Sequence, residues 1–242
     1  MSVGQDDIQM QTSSNGSSVG GTRSGAEYNS GLGMFFPNVA EVDRLAGGTT
    51  IRKFFIYNDH ATDALISPSF WIQQEPTYFD EEIGLGFDDT NDDDSAQGNM
   101  TAWTATAVAS VISSEADTRD ITIYGKDGAG LPVQETLTLT GTTEVVGAQS
   151  FSVVYGAFLD SADATATVTV RQGSGGANPR GTIGPDFVSC FLWLSTAVSK
   201  GTGIRMDDLP AGESYGFWNR LTWPASTPGV RPNVSVIAVE EN

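Results

Sequence analysis

From residue 51 onward the chain alternates apolar and polar positions in short runs separated by turn residues, the pattern of half-buried strands. Residues 51–58 are aromatic and β-branched and stop at an Asn-Asp turn; residues 69–75 form a second run, closed by Pro76. Residues 82–87 alternate apolar side chains with glycine and read as a third strand. Alternation returns at 119–125 and 135–140, around a Lys-Asp-Gly-Ala-Gly turn at 126–130, and again at 150–155, 164–170, 213–223 and 233–239. Strands joined by glycine turns in this way predict antiparallel hairpins. Helical periodicity is confined to residues 38–46, with Asn38 as N-cap and apolar residues at 39, 42 and 45, and to residues 187–198.

Between the runs, composition changes. Residues 1–33 are mostly Gly, Ser, Thr, Gln and Asn, with too little apolar surface to fold alone; the plain reading is a flexible tail, and the sharper one an extended arm that orders against a partner. Residues 88–99 are an acidic loop, and residues 173–185 read as a Gly-rich linker. These two stretches bracket the middle hairpins, and the N-terminal block offers only about three strands, few for a closed core. The expected fold is therefore all-β, with two Ig-like antiparallel β-sandwiches, the second inserted into the first. The arm covers residues 1–33, the outer sandwich 34–100 plus 174–242, and the inserted sandwich 101–173.

Residues 119–143, followed by 151–155, resemble the hairpin repeat of tailed-bacteriophage virion structural proteins. Residues 31–59, with Phe36-Pro-Asn-Val-Ala-Glu-Val-Asp-Arg44, Ala46-Gly47 and Arg52-Lys-Phe-Phe55, resemble another phage virion segment. Together the two cover roughly half the chain. Their motifs are turn and core residues rather than a catalytic signature. The resemblance implies a head-decoration, neck or tail/baseplate component, without choosing between those positions.

Charge narrows the function classes. Twelve Lys and Arg against 30 Asp and Glu give a net charge of −18. A nucleic-acid groove needs cations to displace counterions, so no nucleic-acid partner is expected. No run approaches the ~18 consecutive apolar residues of a spanning helix, and no membrane partner is expected. The start of the sequence lacks the cationic and apolar regions of a signal peptide. There are 28 glycines in 242 residues, well above the usual ~7%, in keeping with many turns.

Candidate chemistry is sparse. His60 is the single histidine and sits in a turn between strands; Cys190 is the single cysteine and lies in an apolar run without a cationic neighbour. Asp88, Asp92 and Asp94 are the candidate ligands of a hard cation, with Ca2+ the ion they would take. The calcium-loop pattern is not met, because the sixth and twelfth positions from Asp88 are Asp93 and Asn99, and a solvated acidic turn is the plainer reading. No other cofactor is expected. On the strand at 213–223, Tyr215, Phe217, Leu221 and Trp223 share one face, which reads as core, with Trp218 and Arg220 opposite. Trp and Arg are favoured interface types, so Trp218 and Arg220 are candidate interface residues, as are Tyr28, Phe35 and Phe36 near the arm.

The expected function is a non-enzymatic structural component of a phage virion. Its partners would be other virion proteins and copies of itself, in a homo-oligomer, and its location the particle assembled in the host cytoplasm. A receptor- or carbohydrate-binding fibre or adhesin module is the alternative.

Overall fold

The structure, a computed structural model, describes residues 3–14, 22–27, 41–74, 82–88, 98–176, 178–194, 199–225 and 236–241. A 3-10 turn at Gln5–Asp7 leads into β1 (Ile8–Ser13) and β2 (Arg23–Glu27), then the helix α1 (Glu41–Ala46) and β3 (Gly48–Asn58). β4 (Ser69–Gln74) and β5 (Glu82–Asp88) follow. The middle of the chain contributes β6 (Ala107–Ser113), β7 (Asp120–Lys126), β8 (Pro132–Thr138), β9 (Val145–Phe151), β10 (Val153–Leu159) and β11 (Val168–Gln172). Then come β12 (Pro179–Ile183), β13 (Ser189–Phe191), β14 (Ile204–Arg205), β15 (Ser214–Trp223) and β16 (Val236–Glu240). All strand pairings between these elements are antiparallel, and the all-β class expected from the alternation holds.

The strands form four sheets. The largest runs β2-β1-β3-β15-β5, and a smaller one runs β14-β4-β16. Two four-stranded sheets, β13-β10-β7-β8 and β12-β11-β6-β9, enclose one core built on Val111, Ile121, Ile123, Phe151, Val168 and Val170. One pair of their edges is stitched by Glu135 of β8, whose carboxylate accepts the backbone N–H groups of Ala148 (2.6 Å) and Gln149 (3.3 Å) of β9. A second core lies between the large sheet and the β14-β4-β16 sheet. Phe54, Phe70, Phe87, Phe217 and Leu221 fill it, with ring centroids 4.6 Å apart for Phe70 and Phe217 and 5.5 Å for Phe54 and Phe217. Each such fully buried side chain stabilises by about 1.5–3 kcal/mol relative to exposure.

β10 faces both cores. Val154, Ala157 and Leu159 point into the first, and Tyr155 and Phe158 into the second. A strict period of two would put Val154 and Ala157 on opposite faces. The register shifts between Val154 and Gly156, a bulge that returns Ala157 to the first core. The Tyr155 hydroxyl then donates to the Gly203 carbonyl (3.2 Å) and accepts the Arg205 backbone N–H (3.2 Å), tying β10 to β14.

Several expectations are corrected. The segment at 173–185 is not a free linker, because its residues 179–183 are β12, paired along β11. The turn before it is clamped by Glu144, which accepts the N–H of Gly175 (2.9 Å) and the Ser110 hydroxyl (2.8 Å) and pairs with Arg171 (3.4 Å). These bonds hold the Glu144 carboxyl below the usual carboxylate range, the Gly175 N–H contributing most. β12 and β13 hydrogen-bond to β11 and β10, so a boundary at 173/174 cuts through paired strands. The expected helical turn at 187–198 contains the strand β13 instead, because Ser189, Cys190 and Phe191 pair along Phe158, Ala157 and Gly156 of β10. The expected strand at 150–155 spans two strands. Ser152 breaks it, donating its hydroxyl to the Lys126 and Asp127 carbonyls.

The N-terminal region is corrected too. Residues 8–13 do not reach away as an arm but pair along β3, and β2 pairs on β1. Ile8 and Met10 pack against the second core, and Gln11 and Ser13 are buried. An unpaired β3 would present a row of open backbone donors and acceptors, which this hairpin fills.

Candidate functional site

Trp218 and Arg220 mark the face of the large sheet that points away from the second core. β15 is the central strand here, paired with β3 on one side and β5 on the other, so Lys53 and Gly86 flank Trp218. The two faces of β15 separate as the alternation requires, with Phe217 and Leu221 in the second core and Trp218 opposite. That opposite face is also covered, which corrects the expectation for Trp218. Its relative exposure is 0%, and its indole lies nearly parallel to the Phe191 ring, 6.3 Å between centroids. An interface residue must offer area to a partner, and Trp218 offers none.

Glycines in β5 make this covering possible. A Cβ at Gly86 would stand 2.5 Å from the Phe191 ring, and one at Gly84 would stand 3.2 Å from both Trp193 and Arg220. The Phe191 and Trp193 rings meet edge to face at 5.0 Å. Arg220 sits at the rim, its guanidinium 4.8 Å from the Trp193 ring and its Nη2 donating to Glu82 at 3.2 Å. Its side chain keeps a quarter of its exposure, so of these two candidates Arg220 alone reaches solvent.

Asp88 is corrected in the same way. It ends β5 buried rather than opening a solvated loop, and its carboxylate lies 2.7 Å from the Lys53 ammonium. A carboxylate already neutralised inside the sheet is a poor cation ligand. Asp92, Asp94, Tyr28, Phe35 and Phe36 lie outside the described residues. Among the described residues, no group of three or more His, Cys, Asp or Glu side chains stands together as a metal cradle.

The single histidine and cysteine have structural surroundings. His60 Nδ1 accepts the backbone N–H groups of Asp63 (2.8 Å) and Thr62 (3.2 Å), which closes the turn after β3. Cys190 is fully buried, and burial pushes its thiol up to about 12, far from the thiolate a nucleophile requires.

Two features of the surface stand exposed. β2 is the outermost strand of the large sheet among the described residues, and all five of its residues are exposed; no described strand pairs on its outer edge. Arg23 anchors it, its guanidinium 3.9 Å from the Tyr57 ring and its Nη1 donating to Gln11 Oε1 at 3.0 Å. On α1, Val42 and Leu45 are 70% and 61% exposed, so two of the helix's apolar positions point outward. The Trp223 indole N–H donates to the Asp43 carbonyl at 3.1 Å and fixes the helix to the end of β15. Sequence reasoning missed both features: β2 carries no alternation of apolar residues, and spacing alone does not tell an inward stripe from an outward one.

Among the described residues no helix is long and apolar enough to cross a membrane. No family model, curated protein or solved structure matches the chain.

Proposed function

We propose that this chain is a non-enzymatic structural component of a bacteriophage particle, built from two Ig-like sandwiches of which the second is inserted into the first. It assembles with copies of itself and with other virion proteins. The outer edge of β2, on which no described strand pairs, carries this reading. An exposed strand edge recruits a further strand through main-chain hydrogen bonds, a mode that suits repeated contacts between identical neighbours. The outward Val42 and Leu45 add apolar area beside the same sheet's β15 end. The net charge of −18 would restrain non-specific association between such edges.

Light scattering of the purified chain, alone and mixed with phage particles assembled without it, tests the proposal. Saturable uptake in hundreds of copies assigns capsid decoration, and uptake in a few copies assigns the neck or tail. Ala26→Lys, which places a charge on the exposed outermost strand, is expected to reduce that uptake while leaving the monomer folded. No uptake by any particle, with a stable free oligomer, overturns the virion role.

A further inference from the structure

Cations are scarce in this protein, three lysines and nine arginines, yet Lys126, Lys200 and Arg205 converge on one cavity of about 390 Å³. The cavity lies where the β7–β8 turn meets the loop that leads into β14, with Ser69 of β4 at its wall. Lys126 is the last residue of β7 and Arg205 the last of β14.

The three cations are held in different ways. Arg205 is fixed by the protein: Nε donates to the Ser67 hydroxyl (3.2 Å) and Nη1 to the Gly130 carbonyl (3.1 Å). Lys200 donates to the Glu241 carbonyl (2.7 Å) and pairs with Glu240 (3.0 Å). Among the described residues, Lys126 donates only to the Gly201 carbonyl, at a long 3.4 Å. No carboxylate of the described residues forms an ion pair with Lys126 or Arg205. Burial, and then the charge of Arg205, push the Lys126 ammonium below its usual pKa.

A half-buried ammonium beside an uncompensated guanidinium is costly, and in a chain with 30 carboxylates a neutralising partner is cheap to place. Among the described residues, the cavity has none at Lys126. Two of its lining residues, Gly130 and Gly201, stand beside open space, since a Cβ at either would meet nothing within 4 Å. We propose that this cavity binds a phosphate-type oxyanion, received by Lys126 and Arg205 with Lys200 at the rim. Charge-assisted bonds from both cations would replace their mutual repulsion. The ligand is free phosphate or the phosphoryl group of a small molecule. A polyanion is disfavoured, because the surrounding net charge repels an extended chain.

Calorimetric titration of the full chain with inorganic phosphate at low ionic strength tests this, with adenosine monophosphate in a parallel titration. The expected result is saturable one-site binding that equal ionic strength of chloride does not reproduce. Lys126→Gln should weaken it at least about tenfold, and Lys200→Gln by a smaller factor. Lys126→Gln removes a repelled charge and keeps the chain folded, which its unfolding curve verifies. Tighter binding of adenosine monophosphate than of phosphate assigns a phosphorylated small molecule, and equal binding assigns free phosphate. Absence of saturable binding of both by the folded wild type overturns the proposal. So does binding that Lys126→Gln leaves unchanged, which would report a general salt effect.

Discussion

Lys53 of β3 and Asp88 of β5 meet across β15, ammonium to carboxylate at 2.7 Å, with both side chains almost wholly buried. They belong to strands that do not pair with each other. On the intervening β15 the register places Asp88 opposite Gly216 and Lys53 opposite Trp218, two positions on one face of the strand. The Lys53 ammonium also lies 5.4 Å from the Trp218 ring and 5.5 Å from the Phe55 ring.

Breaking this pair on one side is expected to be severe. Asp88→Ala removes the carboxylate 2.7 Å from a buried ammonium and should cost about 3–5 kcal/mol. The double variant Lys53→Met/Asp88→Leu should recover most of that loss. Urea unfolding of the wild type, both single variants and the double variant measures it. A double variant as unstable as Asp88→Ala would mean that the charges themselves organise the sheet.

Asn219 gives an opposite expectation. It is 1% exposed, and neither its amide nitrogen nor its oxygen finds a hydrogen-bond partner among the described residues. Its neighbours on the paired strands are Leu85 and Arg52. Asn219→Leu removes a polar group buried at a cost of about 1–3 kcal/mol and should raise the melting temperature. A lower melting temperature would show that the amide is satisfied in solution.

Asp163 sets a pH dependence. Its carboxylate accepts the backbone N–H groups of Thr165 (2.7 Å) and Ala166 (2.9 Å) and the Thr165 hydroxyl (2.8 Å). These bonds, the Thr165 N–H foremost, lower its pKa from 3.8 to about 2. A depressed folded-state value means stability that is present above the unfolded value and lost as pH falls through the folded one. The gap in urea midpoint between wild type and Asp163→Ala should therefore be full above pH 4 and close toward pH 2. A gap independent of pH across that window would assign the effect to something other than the ionised carboxylate.

Removing residues 1–27 should damage the fold rather than only assembly. The deletion strips Ile8 and Met10 from the second core and opens the backbone edge of β3. Expected outcomes are a lower melting temperature and aggregation that grows with concentration. An unchanged melting temperature would return these residues to the role of a detachable arm.

Much of this architecture follows from short-range pattern. The split of β15, with Phe217 and Leu221 on one side and Trp218 on the other, follows from a period of two, and the turn at 126–130 from its glycines. What periodicity does not carry is whether the second face is also covered, and that decides the fate of Trp218. The burial of Asp88 depends on Lys53, 35 positions earlier, and no local feature of an acidic run reports it. The glycine-rich stretch at 173–176 reads as a linker until Glu144, far upstream, is seen to bind its backbone. The strand at residues 8–13 offers only Ile8 and Met10 as apolar positions, too few to stand out before β3 supplies its partner.

The bulge in β10 bears on how this chain tolerates change. A strand with one wet face has a side on which mutations drift freely. β10 has none, because Tyr155 and Phe158 look one way and Val154, Ala157 and Leu159 the other. Excising either half would leave two aromatic rings or three aliphatic groups facing water along a single strand. The two halves are therefore expected to unfold as one cooperative transition, to resist being expressed apart, and to have diverged together.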